Sequence, residues 1–500
     1  MKEKLKNIRF PYFRRYSYYC FFVALIFLVL IVNLELDNDT WFLLNHGKYV
    51  FFHGFPYIEP FTIHTNFKFV MQQWASSLVF FLSYHYFGIN SLLFFIIFID
   101  MLIVFVIYKL CMLISDKNYK ISILITFVID SILIITKFIV TRPQVFTYLF
   151  VLLIFFCLEF YIKNKSKKIL LFLPIISLLQ INFHASMWWL LIVFMIPYLF
   201  DGYNISFFCK DLYSKFPIIV AIIFMFIFAL INPYGVEALK YVFNSYGVSY
   251  INNYVAEMRP LNINDIMGKF IFIVVILIYL IYVLGSRKKI KVRYLLLLLG
   301  TTYMSFSSYK CFSYFTICSI FPLAFYLKEK LKPIKNLELY PINYKLQFGS
   351  LIAVLLILLF SFGKSLDINY KNNLQSGIDY LLKNYERKKI ILYVGYNQGG
   401  YTEFRGIKSY IDPRAEVFLK ANNEKKDIFN EYYKLQDKKI NYEKFLDDYN
   451  FSHVLVTEQD SFYSEISNNE NYKLIYKGIT SLKVDHNHYQ KYMLYVRKDI

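Results

Sequence analysis

Residues 90–108 read NSLLFFIIFIDMLIVFVIY, an unbroken apolar run in which Asp100 is the one charged side chain. About 20 such residues, wound as a helix, cross the hydrocarbon core of a bilayer. Working outward, similar stretches lie near 17–34, 121–140, 143–162, 169–182, 185–200, 216–231, 268–285, 294–308, 311–327 and 346–363. The sequence therefore predicts an α-helical polytopic membrane protein with about 11 transmembrane helices. Across 500 residues, 57% are hydrophobic and 21% aromatic, with a mean hydropathy of +0.41. Too little polar surface remains for a water-facing enzyme, a disordered tail or a fibrous repeat of this size.

The formal charge of +20 has three readings: nucleic acid, anionic lipid or membrane topology. Nearly all the excess falls before Lys364, and there it clusters in short loops: Lys2 to Arg15, the KNKSKK run, RKKIKVR, and Lys328 to Lys335. Cytoplasmic loops collect Lys and Arg in this way. The pattern puts the N-terminus inside and, for an odd number of spans, the C-terminal residues outside; it points away from a nucleic-acid partner. The first span runs into LELDNDTW without a small-residue cleavage site, as an uncleaved anchor does. The six cysteines show neither CxxC nor a Cys/His metal spacing.

These features divide the chain into a transmembrane domain, 1–363, and an extracytoplasmic α/β domain, 364–500. The first domain carries two long outer loops, 35–75 and 233–267. Stretches WFLLNHGKYVFF and QQWASSLVFFLSYHYF have the periodicity and aromatic content of helices lying on a membrane surface, where they would roof a cavity. In the last domain IDYLLKNY, EKKDIFNEYYKL and YEKFLDDY read as helices, and IILYVGY, KSYID, SHVLVTE, NYKLIYKG and KYMLYVRK as strands.

Chemistry concentrates beside the first span. Glu35, Asp37 and Asp39 are followed by His46, His53 and Glu59. Two carboxylates at i, i+2 near a membrane surface can share a proton or a divalent cation, and a partly desolvated one suits a general base. The bland reading, a solvated acidic loop ending a helix, stands beside this one. Asp100 and Asp130 fall mid-span, with Lys137 and Arg142 as candidate partners and a clamp between helices as the favoured role. Glu159 reads as interfacial. Cations are scarce on the outer side, so Arg142 in TRPQ, Arg259 in EMRP and Lys310 in SSYKCF stand out against simple snorkelling; such groups hold a phosphate and stabilise it as it leaves. His184 and the Trp188–Trp189 pair would line the same cavity or form an aromatic belt. The turn YNQGGYTEF and the strand end IDPRAEVF put Gly399, Gly400, Asp412 and Arg414 at loops after strands, where ligands often bind in α/β sheets, but an Asp–Arg pair bracing a turn is the stronger reading. No nucleotide-binding spacing occurs.

Taken in order, DNDTWFLLNHGKYVFFHGFPYIEPFTIHT, TRPQVFTYLF, QINFHASMWWLL, INPYGVEALKYV and SYKCFSYFTICSIFPLA, with NQGGY and YIDPRAEVF near the end, resemble a bacterial family of polytopic membrane proteins. That family looks like a branch of the GT-C glycosyltransferase superfamily, beside the protein O-mannosyltransferases and the aminoarabinose transferases of lipid A. The resemblance implies a bacterial cytoplasmic membrane and a sugar transferred, with inversion, from a polyprenyl-phosphate carrier to a glycan, lipid or protein acceptor on the outer face. It implies Asp39, or Asp37, as the base that deprotonates the acceptor, and Arg142, Arg259 or Lys310 as ligands of the carrier phosphate. His184, His46 and Glu59 are further binding candidates. A divalent cation at Asp37/Asp39 is the one cofactor considered. The chain departs from the family pattern in Lys310, where arginine is common, and in Gln398, where tryptophan commonly precedes the Gly-Gly pair; the first keeps charge but loses bidentate recognition.

Two other readings stand beside a glycosyltransferase. One is a flippase or transporter of lipid-linked glycan that uses Asp100 and Asp130. The other is a non-catalytic envelope assembly protein whose outer domain docks a partner.

Overall fold

The computed structural model describes residues 36, 38–201, 211–245, 249–285, 290–330, 373–478 and 491–500. The expected spans 17–34 and 346–363 lie outside the described residues, as does Asp37. The chain divides into two compact units.

The first unit, drawn from Asn90–Asn232 and from Val255 onward, is helical. Each of the nine expected spans in the described residues falls on a helix. Among these residues Asn90–Ile114, Gln144–Asn164, Ile266–Gly285 and Tyr309–Lys328 have the length and apolarity to cross a bilayer, while Ala185–Leu199 and Phe216–Ala229 are apolar but shorter. The helix Asn90–Ile114 packs against Tyr119–Ile135 and Gln144–Asn164, and Phe172–Phe183 packs against Phe216–Ala229. Local chemistry sets the ends. Asn118 caps Tyr119–Ile135 through its side-chain oxygen, and Pro143 opens Gln144–Asn164, where a missing N–H costs nothing.

One arginine organises this unit in a way that charge counting misses. Arg293, from the cationic RKKIKVR run, is 1% exposed. It grips Glu159 with Nε at 2.9 Å and Nη2 at 3.1 Å, and also meets Asp201 and Asp211. Tyr198 and Tyr294 donate to the same Glu159 carboxylate at 3.1 and 3.0 Å. Glu159 is thus a buried partner of Arg293 rather than an interfacial residue beside Lys163; Lys163 pairs with Asp116 at 2.6 Å. Asp100 and Asp130 differ from expectation too. They are buried against each other, with no donor from a third residue among those described, so the clamp between their helices is an acid pair without Lys137 or Arg142.

The second unit gathers three separate pieces, Leu36–Ile89, Pro233–Tyr254 and the C-terminal residues. The chain therefore does not divide by a single cut at 363, because parts of both long outer segments belong with the α/β sheet. The strands are β1 (Leu392–Tyr393), β2 (His453–Thr457), β3 (Tyr472–Lys477) and β4 (Tyr492–Arg497), ordered β1-β2-β4-β3. β1 runs parallel to β2, and the other pairs are antiparallel. The KSYID stretch, expected as a strand, forms only single bridges at Ser409, to Leu392 and to Thr62. Those bridges bring residues of the first outer segment to the β1 edge, with Ile63 N donating to Ser409 O at 3.0 Å. Lys68 ties the remaining pieces, reaching Glu237 at 3.1 Å and Glu424 at 2.9 Å. Asp427 and Asn441 cap the helices Ile428–Gln436 and Tyr442–Tyr449.

Helices Asp39–His53 and Trp74–Phe87 approach closely at Gly47, where an added Cβ would sit 2.1 Å from Ser77 O and 2.5 Å from Phe81 Cβ. Gly47→Ala must push the pair apart, at about 1–3 kcal/mol. Gly300→Ala, in a helix with open space around the position, should be neutral or stabilising by up to about 1 kcal/mol. Thermal unfolding of the two full-length variants in detergent measures the contrast, with a lowered midpoint expected for Gly47→Ala alone.

Candidate functional site

The first unit encloses a cavity of about 240 Å³ with Arg142, Lys137 and Lys310 on its wall. Backbone geometry brings them there. The helix Tyr119–Ile135 ends at Thr136, and Lys137 takes a left-handed φ of 57° that turns the chain. Arg142 precedes the Pro143 that starts the next helix. Lys310 lies in the short turn Tyr309–Cys311 after Val292–Ser307.

Part of the second outer segment closes the ring. Tyr309 N donates to Arg259 O at 3.0 Å, Ser308 Oγ to Glu257 O at 3.1 Å, and Tyr309 OH to Thr136 O at 3.2 Å. The turn at 256–259 is thereby fastened to the turn carrying Lys310. Glu257 lines the cavity and forms an ion pair with Arg142. Ile135, Phe138, Val140 and Met187 supply apolar wall. Cations set in an apolar pocket suit an anion that carries a hydrocarbon tail.

Of the expected phosphate ligands, Arg142 and Lys310 share this cavity. Arg259 does not line it: its side chain is exposed, and its carbonyl holds Tyr309. His184 sits behind the wall, its Nδ1 2.9 Å from Thr147 Oγ1 and its carbonyl accepting from Gln180 at 2.7 Å, within electrostatic reach of Lys310. It positions the helix that carries Gln144 and Tyr148. Sequence reading missed Glu257, although it stands two residues before Arg259 in EMRP, and it also missed Tyr309.

His46 and Glu59, expected to bind substrate, belong to the second unit's interior. Glu59 is 3% exposed and accepts from Phe61 N at 3.1 Å, Thr62 N at 2.9 Å, Thr62 Oγ1 at 2.7 Å and Arg414 Nη2 at 2.9 Å. That leaves little capacity for a ligand. Arg414 also binds Asp412, with Nε at 2.8 Å, and lies 3.5 Å from Glu403 and 3.1 Å from His46 Nε2. The expected Asp412–Arg414 brace is present, and it extends to His46 and Glu59 of the first outer segment. Burial, then Arg414, holds His46 well below its ordinary 6.5. Burial, then Asp412, pushes Glu403 well above its ordinary 4.5.

The NQGGY segment is helix rather than turn, within Tyr396–Phe404. A Cβ on Gly399 would meet Ile411 O at 1.9 Å, which explains glycine there without invoking a ligand. Asp39 occupies the first turn of Asp39–His53 and is partly exposed. Its charge, after burial, raises the Tyr396 phenol. Trp41 packs beside it on Tyr401 and Phe404. Among the described residues no group of three or more His, Cys, Asp or Glu comes together to hold a metal. The cation considered at Asp37/Asp39 involves a residue outside them.

No protein-family model matches the sequence, and no curated protein does. Solved structures match its fold. The oligosaccharyltransferase of Archaeoglobus fulgidus in the apo form superposes with a TM-score of 0.53, and the same enzyme tethered through a disulfide to an acceptor peptide containing the NVT sequon with 0.52. Each is 12% identical, over 89% of this chain and 70% of that one. The fold resembles that of this oligosaccharyltransferase. At this identity the likeness is one of fold.

The Arg414 cluster makes stability depend on pH in two opposed ways. Glu403, raised in the folded state, contributes stability that is full below its ordinary 4.5 and is lost as pH rises through its folded value. His46, lowered, contributes stability present above 6.5 and lost as pH falls. Thermal unfolding of the full chain between about pH 4 and pH 9 should show a weaker alkaline loss in Glu403→Gln and a weaker acid loss in His46→Gln. Arg414→Met, which strands the surrounding carboxylates, should cost about 3–5 kcal/mol.

Proposed function

We propose that this chain is an integral membrane glycosyltransferase that takes a sugar from a polyprenyl-phosphate carrier and passes it to a cell-envelope acceptor on the outer face. The observation that carries this reading is the convergence of Arg142 and Lys310 on one apolar-walled cavity within a GT-C-like fold. The acceptor hydroxyl loses its proton to a carboxylate base, the role that the resemblance gives to Asp39, and its oxygen bonds to the anomeric carbon. The bond from that carbon to the carrier oxygen breaks, and the electron pair leaves with the phosphate. Arg142 and Lys310 stabilise the charge that develops there. The acceptor is a glycan, lipid or protein, as in the neighbouring enzyme, where it is a peptide.

The flippase reading needs Asp100 and Asp130 on a path, whereas both are enclosed, and neither lines the cavity. Asp39 is a base by virtue of its place in the resemblance and its partial exposure at a helix N-terminus, where the macrodipole favours a carboxylate.

Titration of the purified chain with farnesyl phosphate tests the site. Arg142→Gln and Lys310→Gln should each weaken binding about ten-fold or more. Asp39→Asn should bind like wild type yet lose roughly two or more orders of magnitude in transfer, read by mass spectrometry of glycans made in host membranes. Unchanged binding in both cation variants sinks the phosphate site; unchanged transfer in Asp39→Asn sinks the base.

A further inference from the structure

We propose that Glu257 is a resident counter-anion that sets the threshold for entry to this cavity: it occupies the Arg142 guanidinium until a phosphate displaces it. The inference rests on the phosphate-site reading and adds the group against which a ligand competes.

Three observations carry it. The Glu257 carboxylate is ion-paired to Arg142, and both side chains line the cavity. A carboxylate and a phosphate use the same planar donor fork, so the two compete for Arg142. The main chain around Glu257 is held in place: its carbonyl accepts from Ser308 Oγ at 3.1 Å, Met258 N donates to Val255 O at 2.9 Å, and the carbonyl of Arg259 holds Tyr309. Displacement is therefore a side-chain rotation. The destination is open, because the Glu257 side chain is 39% exposed against 17% for Arg142. A rotated carboxylate can be hydrated while the guanidinium stays inside.

The consequence is a filter on concentration. Breaking the Arg142–Glu257 pair costs every entering anion the same amount, so ratios of affinity between anions do not change. What changes is which anions bind at the concentrations they reach. A ligand with a hydrocarbon tail gains from the wall at Ile135, Phe138, Val140 and Met187 and can meet the cost. Inorganic phosphate has no tail, and only the cations of the wall, Arg142, Lys137 and Lys310, can offset the cost for it.

The test uses the full chain in maltoside detergent, titrated calorimetrically with farnesyl phosphate, farnesol and inorganic phosphate. Glu257→Gln should tighten farnesyl phosphate and inorganic phosphate alike, by about ten-fold, and leave farnesol unchanged. Glu257→Asp, with its carboxylate withdrawn by one methylene, should give a smaller gain of the same sign. Combining Glu257→Gln with Arg142→Gln should abolish the gain. Unchanged or weaker phosphate binding in both Glu257 variants, with melting midpoints like wild type, overturns the proposal and makes Glu257 either inert or a ligand group. A gain for farnesol overturns it as well, since that would report a wider pocket. If wild type and variants bind neither phosphate, the phosphate-site reading fails and the inference fails with it. If wild type binds farnesyl phosphate through Arg142 and Glu257→Gln adds nothing, only the inference fails.

Discussion

A guanidinium removed from water has to be matched at once by carboxylates and hydrogen bonds, because an unpaired buried charge costs several kcal/mol. Each unit of this protein is arranged around one such group. Arg293 gathers Glu159, Asp201 and Asp211 among the helices of the first unit. Arg414 gathers Asp412, Glu59 and Glu403 in the second. Replacing such a cluster with well-packed apolar groups can be neutral for stability. Its value is geometric: only one packing of the helices and turns that supply these carboxylates leaves none of them stranded. Gly47 and Gly399 act in the same direction, since their backbones touch neighbours at distances that no other side chain permits.

The cavity in the first unit follows the opposite rule. Its cations face an apolar wall, and one carboxylate, Glu257, meets Arg142 from a side that is well exposed. Arg293 has its carboxylates closed around it, with Glu159 held by Nε and Nη2 in a bidentate fork and Nη1 turned to Asp201 and Asp211. Arg142 has a partner that can leave. That difference separates a structural arginine from one available to a substrate, and neither charge nor local sequence distinguishes the two.

What could be read from the sequence was whatever depends on near neighbours. The apolar runs and the amphipathic segments EKKDIFNEYYKL and YEKFLDDY became helices, and SHVLVTE, NYKLIYKG and KYMLYVRK became β2, β3 and β4. Arg142 and Lys310 could be singled out because cations are rare on the side assigned as outer, and they do share a cavity. Whatever depends on distant partners was hidden. Arg293 was indistinguishable from the other cations of RKKIKVR until Glu159 and Asp201 were seen to face it. Glu59 and His46 looked like site residues because the partner that consumes them, Arg414, lies far along the chain. NQGGY suggested a turn, since nothing local announces that Ile411 needs the space beside Gly399.

The interleaving of the two units has a consequence for the order in which the protein is made. Glu59 and Arg414 are 355 positions apart, so at roughly 5–20 residues per second the carboxylate waits about 20–70 s for its guanidinium. Throughout that interval the first outer segment has no β1 edge to join and no cation for Glu59, while the intervening helices are being synthesised. The second unit can close only when its third piece arrives. Until then Trp41, Phe61 and Phe69, which rest on Tyr401, Phe404 and Arg414 in the finished unit, lack the groups that cover them.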